Sequence, residues 1–330
     1  FESYYTNNSY STHLIMAGQD KNAEADIFIS TWQSIYKQPK KWFDQFDVVI
    51  GDEAHLFKAN SLTKIMTKLE NCDYRFGFTG TLDGTQTHKL VLEGLFGPVM
   101  KVISTKELIE TDRIADLRIK ALVLKYSDEV RKMMKEAKYD DEIKFLAQCT
   151  ERNNFIKNLA IGRTGNTLVL FQMVEKHGKI LYNLINSKAG KRKIFFIYGG
   201  IDVEERERAR EITEKENDAI IIASYGTFST GINIRNLHNI VFSSPSKSRI
   251  RNLQSIGRGL RLGDNKTNAT LYDIADDVSY GEKENYIRLE PFQSQILEVA
   301  STFAYSITIP TGRGSESACS AGIFMRIFRQ

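Results

Sequence analysis

The sequence predicts an α/β protein of two domains, each a parallel sheet covered by helices. Three observations carry that expectation. Short β-branched and apolar runs alternate with longer stretches of helical period. The runs recur roughly every 20 to 30 residues, the length of one strand plus a crossover helix. The chain has 330 residues, 42% hydrophobic and 26% charged, enough for about two domains with real cores.

The early strand-like runs are Asp26–Ser30, Asp47–Gly51 and Tyr74–Phe78. A second series follows a gap: Thr167–Phe171, Lys193–Ile197, Ala219–Ala223, Asn239–Phe242 and Thr270–Ile274. Between the two series, a strand-like Leu117–Leu124 leads into a charged stretch with intermittent Met, Ile, Phe and Leu, the pattern of amphipathic surface helices. The expected division is therefore a first domain at 1–104, a connector at 105–160, a second domain at 161–286 and an atypical tail at 287–330. In the second domain, Asp202 with Glu205 predicts a capping box, and the charged run Glu204–Arg210 predicts a solvated helix with Glu204 and Arg208 paired. The tail mixes Ser, Thr, Gly and Ala with apolar residues and suggests no function.

Composition excludes several classes. With 45 basic and 41 acidic residues the net charge is +4, which permits a polyanionic partner without demanding one. Cys72, Cys149 and Cys319 are too far apart for paired metal ligands and too few for a disulfide framework, so a reducing cytoplasm is expected. The five histidines show no zinc spacing. No uncharged apolar run approaches the roughly 18 residues of a membrane span, and no membrane partner is expected. No secretion signal follows Phe1, and a start at Phe suggests a fragment.

Four segments carry chemistry. Val48–Gly51 is an apolar strand that ends in Asp52, Glu53, Ala54 and His55. The carboxyl end of a parallel strand is where α/β proteins bind ligands, and paired acids there suit magnesium and an attacking water. A surface turn opening a helix would carry the same acids. Downstream, Phe76–Phe78 runs into Thr79, Gly80 and Thr81, one strand-helix unit later, where a nucleotide's state could be sensed; a plain Gly/Thr turn would look alike. The stretch Ala223–Asn233 reads as a loop whose Gly226, Thr227 and Thr230 could grip a sugar-phosphate backbone or a nucleotide, though a plain glycine-containing turn would look similar. Finally, a helix capped by Ser248 would place Arg251, Gln254, Arg258 and Arg261 on one face, a docking surface for phosphate oxygens or a basic helix touching nucleic acid.

In order, these pieces resemble the superfamily 2 helicases. Asp52–His55 looks like motif II (a DEAH box), Thr79–Thr81 like motif III, Thr230–Asn233 like motif V and Gln254–Arg261 like motif VI. Ser30–Ser34 sits at the place of motif Ib, Leu170–Gln172 at that of motif IV, and Tyr198–Gly200 at that of the segment following it. The likeness spans roughly residues 27 to 275 and is greatest to phage recombination DNA helicases, with restriction-enzyme motor subunits less similar. It implies two RecA-like domains with ATP and Mg2+ between them and DNA, or RNA, across both. On that likeness Asp52 holds magnesium, and Glu53 orients water. Arg258 and Arg261 complete the site, which Gly231 and Asn233 adjoin. Gln254 and His55 couple it, with Thr79, Gly80 and Thr81. Thr31, Trp32, Gln33, Phe171, Gln172, Gly226 and Thr227 would touch the nucleic acid. The expected activity is an ATP-dependent DNA helicase or translocase that unwinds or remodels branched DNA in recombination, repair or replication, in the host cytoplasm if phage-encoded.

One departure stands against this. The family's Gly-x-x-x-x-Gly-Lys-[Ser/Thr] phosphate loop does not occur; Gly178–Lys179 and Gly190–Lys191 are followed by Ile and Arg. The expectation is a chain beginning after motif I, its first domain truncated at the N-terminus. The alternatives are a RecA-like pair that binds nucleic acid without turning over ATP, and a double-stranded DNA translocase of the restriction-motor kind.

Overall fold

The computed structural model describes residues 11–15, 20–80, 82, 85–231, 234–246, 249–263 and 266–278, together with the short strand segments Tyr305–Ser306, Ala321–Gly322 and Arg326–Ile327. Two compact units divide the chain, Phe1–Lys101 and Val102–Gln330.

The first unit contains two parallel strand pairs. One joins β1 (Thr12–Ile15), which carried no sequence signal, to β2 (Ile27–Ser30). The other joins β3 (Val48–Gly51) to β4 (Tyr74–Gly77) in the register Val48↔Tyr74 to Gly51↔Gly77. Helices α1 (Trp32–Ile35), α2 (Lys40–Phe43), α3 (Asn60–Lys68) and α4 (Gln86–Phe96) accompany them. Their core gathers Ile15, Trp42, Phe43, Phe57, Met66 and Leu92.

The second unit is built on parallel strands. After α5 (Thr105–Glu110) come β5 (Asp116–Tyr126), α6 (Asp128–Met134), α7 (Tyr139–Gln148) and α8 (Thr150–Ile161). Then follow β6 (Thr167–Phe171), α9 (Lys179–Asn186), β7 (Ile194–Ile197), α10 (Val203–Lys215) and β8 (Ile220–Ser224). The last elements are α11 (Tyr225–Gly231), β9 (Asn239–Phe242), α12 (Arg249–Gly259) and β10 (Asn268–Asp277). The parallel strands stand in the order β5-β10-β9-β6-β8-β7. Every residue of β6 and β9 is buried, which is why Leu168–Phe171 and Ile240–Phe242 read as apolar runs rather than as an alternation.

Each strand expected from an apolar run is present, within a residue or a few at its ends. The stretch 105–160, read as a connector, instead supplies β5, which pairs with β10 from Asp116↔Asn268 to Lys125↔Asp277. Leu146 of α7 and Ile156 and Ala160 of α8 lie in the same core as β6 and β8. Alternating charge on these elements disguised their buried side. Asp202 does occupy the N-cap of α10, but its side chain makes no capping hydrogen bond. The capping box is found at Ser104 and Glu107, opening α5. The Ala223–Asn233 stretch expected as a loop begins at the end of β8 and is helical over α11, where Ser224 Oγ accepts from the Thr227 backbone N–H at 3.3 Å and starts the turn. Most of the tail, 287–330, lies outside the described residues; Tyr305–Ser306 and Ala321–Gly322 pair with β5.

Candidate functional site

The parallel register of β3 and β4 sets their carboxyl ends side by side, Gly51 against Gly77. Pairing continues beyond them: Phe78 N donates to Gly51 O at 2.8 Å and Ala54 N to Phe78 O at 2.9 Å. The acidic segment is thus laced to the Phe78–Thr79 segment. Asp52 is exposed, and its Oδ1 accepts from the Glu53 N–H at 2.8 Å. Glu53 adopts φ 49°, ψ 48°, a left-handed conformation unusual for a residue with a side chain. Such strain persists only where the surroundings over-determine it. Here a 3-10 turn, Ala54–Lys58, follows at once, and Gly51 backs it so closely that an added Cβ would stand 2.8 Å from the Phe57 ring.

His55 is only 3% exposed. Its Nδ1 lies 2.9 Å from Thr79 Oγ1 and 3.3 Å from Glu53 Oε2. His88 of α4 reaches the His55 carbonyl through Nε2 at 2.9 Å. One imidazole nitrogen of His55 therefore hydrogen-bonds Thr79 and lies within charge-pair distance of the Glu53 carboxylate. Gly80 follows Thr79 directly, whereas Thr81 lies outside the described residues. Among the described residues no group of three or more His, Cys, Asp or Glu could hold a metal by itself. Magnesium characteristically takes one or two protein carboxylates, with phosphates and waters completing its shell, and the exposed, oriented Asp52 fits that donor set.

In the second unit Gln254 and Arg258 lie four residues apart on α12, both half-buried. Ser255 and Ile256 face inward, and Gly259 meets Ile240 of β9 so closely that no Cβ fits between them. The helix ends there. Arg261 consequently does not continue the helical stripe; it lies on the exposed segment beyond. Gly231 closes α11. Asn233, Ser248 and the side chains of Thr230 and Arg251 lie outside the described residues.

The expected nucleic-acid contacts fare differently. Thr31, Trp32 and Gln33 are exposed after β2. Trp32 stands edge-on to Tyr36 at 5.8 Å, and Lys37 Nζ lies 5.6 Å from the Tyr36 ring, an aromatic and basic ledge. Gln172 and Gly226 are also exposed. Phe171, however, is 0% exposed and stacks on Phe196 at 5.5 Å, so it is a core residue and not a strand contact. Thr227 is buried, its hydroxyl 2.8 Å from Ser224 Oγ at the start of α11.

Sequence reasoning passed over a buried polar network. Arg152 makes a two-pronged pair with Asp276, Nε to Oδ1 at 2.8 Å and Nη2 to Oδ2 at 2.9 Å, and donates from Nη1 to Ser243 O at 2.8 Å. Tyr126 donates to Asp276 at 2.7 Å. Burial opposes the Arg152 charge, but the Asp276 carboxylate holds its pKa above the ordinary value. His177, between Ser244 and Asn153, is drawn down to about 3 by burial and by Arg152, and is neutral. An arginine within a polar Glu151–Asn154 run gave no sign of burial.

Comparison with known proteins agrees with this order of elements. Residues 1–84 match the family described as Type III restriction enzyme, res subunit, and 151–263 the Helicase conserved C-terminal domain. The ATP-dependent DNA helicase uvsW of Enterobacteria phage T4 is 36% identical over 274 residues, 81% of this chain and 54% of that protein. This chain thus spans about half the length of that relative. Two solved structures share the fold. An HsdR subunit fragment of a type I restriction enzyme from Vibrio vulnificus YJ016 has TM-score 0.65 and 18% identity, over 90% of this chain and 54% of that one. Dbp5 of S. cerevisiae, bound to RNA and ADP BeF3, has TM-score 0.57 and 13% identity, over 90% and 70%. With both helicase modules in order and a helicase relative aligned across most of its residues, the chain belongs to the superfamily 2 helicases.

Proposed function

We propose that this chain is the motor of an ATP-dependent DNA helicase or translocase that remodels branched DNA. The carrying observation is the convergence of Glu53 and Thr79 on the buried His55 imidazole, Thr79 by a hydrogen bond and Glu53 at charge-pair distance, at the adjoining ends of β3 and β4. Bound Mg2+ would supply positive charge to the phosphates, with Asp52 as its protein carboxylate. Glu53 accepts a proton from the attacking water, its position fixed by the left-handed backbone and by His55. Thr79, bonded to the same imidazole, ties the state of that carboxylate to the segment after β4. Arg258 and Arg261 supply guanidinium charge to the transferring phosphoryl group, with Gln254 beside them.

Nucleic acid is held through the ledge of Thr31, Trp32, Gln33 and Lys37, with Gln172 and Gly226 on the second unit. Backbone contacts with a stacking aromatic give little sequence preference and a strong salt dependence. DNA is favoured over RNA by the likeness to a phage DNA helicase. The test is DNA-stimulated ATP hydrolysis and branch unwinding by the protein at its natural length. Hydrolysis with strand release supports the helicase, and hydrolysis without release supports a translocase. DNA binding without hydrolysis would replace both with a passive binder.

A further inference from the structure

Lys266 is only 2% exposed. Burying an ammonium group is costly unless its N–H donors find acceptors. Here Nζ donates to backbone oxygens of Gly259, of Arg261 at 2.9 Å and of Arg235 at 3.1 Å. Gly259 is the last residue of α12, and the negative end of the helix dipole favours a cation there. Burial draws the Lys266 pKa down to about 8, opposed by the Glu214 carboxylate, so the group remains a cation at neutral pH.

The two ends of this tether differ. Arg235 is firmly anchored, its N–H donating to Glu214 Oε1 at 2.5 Å. The next residue, Asn236, has its carbonyl bound by Asn166 Nδ2 at 2.8 Å, and that amide also reaches the carbonyls of Thr213 and Glu216 near the end of α10. The other end is the turn that carries the arginines. Leu260 O within it accepts from Ala115 N at 2.7 Å, and Lys266 N donates to Gly263 O at 3.0 Å. Three successive carbonyls, of Gly259, Leu260 and Arg261, are thereby held. A methionine would fill a similar volume without burying a charge; what the ammonium adds is a convergent grip on segments distant in sequence.

We propose that Lys266 is a positioning residue that fixes the backbone from Gly259 to Arg261 and so aims the Arg258 and Arg261 guanidinium groups at the phosphates of ATP. The inference rests on the role given to those arginines above. Charge placed before the reaction costs no reorganisation during it, so loosening the turn lowers turnover more than ground-state binding.

The experiment measures steady-state, DNA-stimulated ATP hydrolysis by the natural-length protein as Lys266→Met, Lys266→Arg, Arg261→Ala and the Lys266→Met/Arg261→Ala double variant. Thermal unfolding and DNA binding report folding. Lys266→Met is expected to lower kcat about tenfold or more while KM for ATP changes less than about threefold, with partial recovery in Lys266→Arg. In the Arg261→Ala background, Lys266→Met should cost little further. Wild-type kcat in folded Lys266→Met, or fully multiplicative losses in the double variant, overturns the positioning role. Should Lys266→Met not fold, Lys266→Gln decides, and wild-type kcat in that folded variant overturns it equally. Normal hydrolysis in both Arg258→Ala and Arg261→Ala would instead remove the arginine role itself, a separate failure.

Discussion

The buried imidazole of His55 joins two loops, its Nδ1 lying 2.9 Å from Thr79 Oγ1 and 3.3 Å from the Glu53 carboxylate. A conformational change at either loop must pass through or break this contact. Thr79→Val removes the hydroxyl at nearly constant volume and takes a partner from a buried nitrogen, at a cost of about 1–3 kcal/mol. Thr79→Val is therefore expected to lower the unfolding midpoint and to uncouple hydrolysis from unwinding. The check is the ratio of ATP consumed to strand released; an unchanged ratio would remove Thr79 from the coupling role.

Glu53→Gln keeps the shape and the left-handed backbone but cannot accept the water's proton. Turnover should fall about 10²–10⁴-fold with nucleotide binding retained. Single-turnover hydrolysis beside nucleotide titration separates the two, and near-wild-type turnover would assign the base elsewhere.

Arg258→Ala should suppress hydrolysis by several orders of magnitude while DNA affinity stays nearly unchanged. Filter binding across a salt series, run with the hydrolysis assay, distinguishes this from a basic helix that touches DNA, for which affinity and salt slope fall instead.

Arg152→Met leaves the Asp276 carboxylate buried without its guanidinium partner. Breaking such a pair costs about 3–5 kcal/mol, whereas Arg152→Met with Asp276→Asn should cost clearly less. Denaturant midpoints of the two variants provide the measurement, and equal losses would contradict the pairing.

Asp273 has its pKa raised to about 6, mainly by burial and then by the neighbouring Asp276 charge. The folded state therefore holds the Asp273 proton more tightly than the unfolded chain. That contribution is complete below the ordinary value near 3.8 and is lost as pH rises through about 6. Asp273→Asn, uncharged throughout, should raise the unfolding midpoint at about pH 8, with the gain shrinking toward about pH 5. Thermal scans at both values decide; a gain independent of pH would assign the effect to something other than ionisation.

The fold was largely legible because buried parallel strands read as near-continuous apolar runs, as Leu168–Phe171 and Ile240–Phe242 do. β5 was half legible: its apolar run was visible, but its place beside β10 was not, since pairing leaves no local mark. At the site, Asp52, Glu53 and His55 could be named from their neighbours in the chain. Phe171 was misread because an aromatic at a strand end looks the same whether it stacks on Phe196 or on a base.

The sequence by itself determined the order of strands and helices and the residue types at each strand end, because hydrophobic period and motif spacing are local properties. Only the tertiary structure decided that His55 bonds Thr79, that Arg261 falls beyond the end of α12, and that Lys266 grips both Arg235 and the arginine turn. Those facts depend on register and on who supplies each buried donor with an acceptor, and partners 24 or 31 residues apart in the chain are chosen by packing.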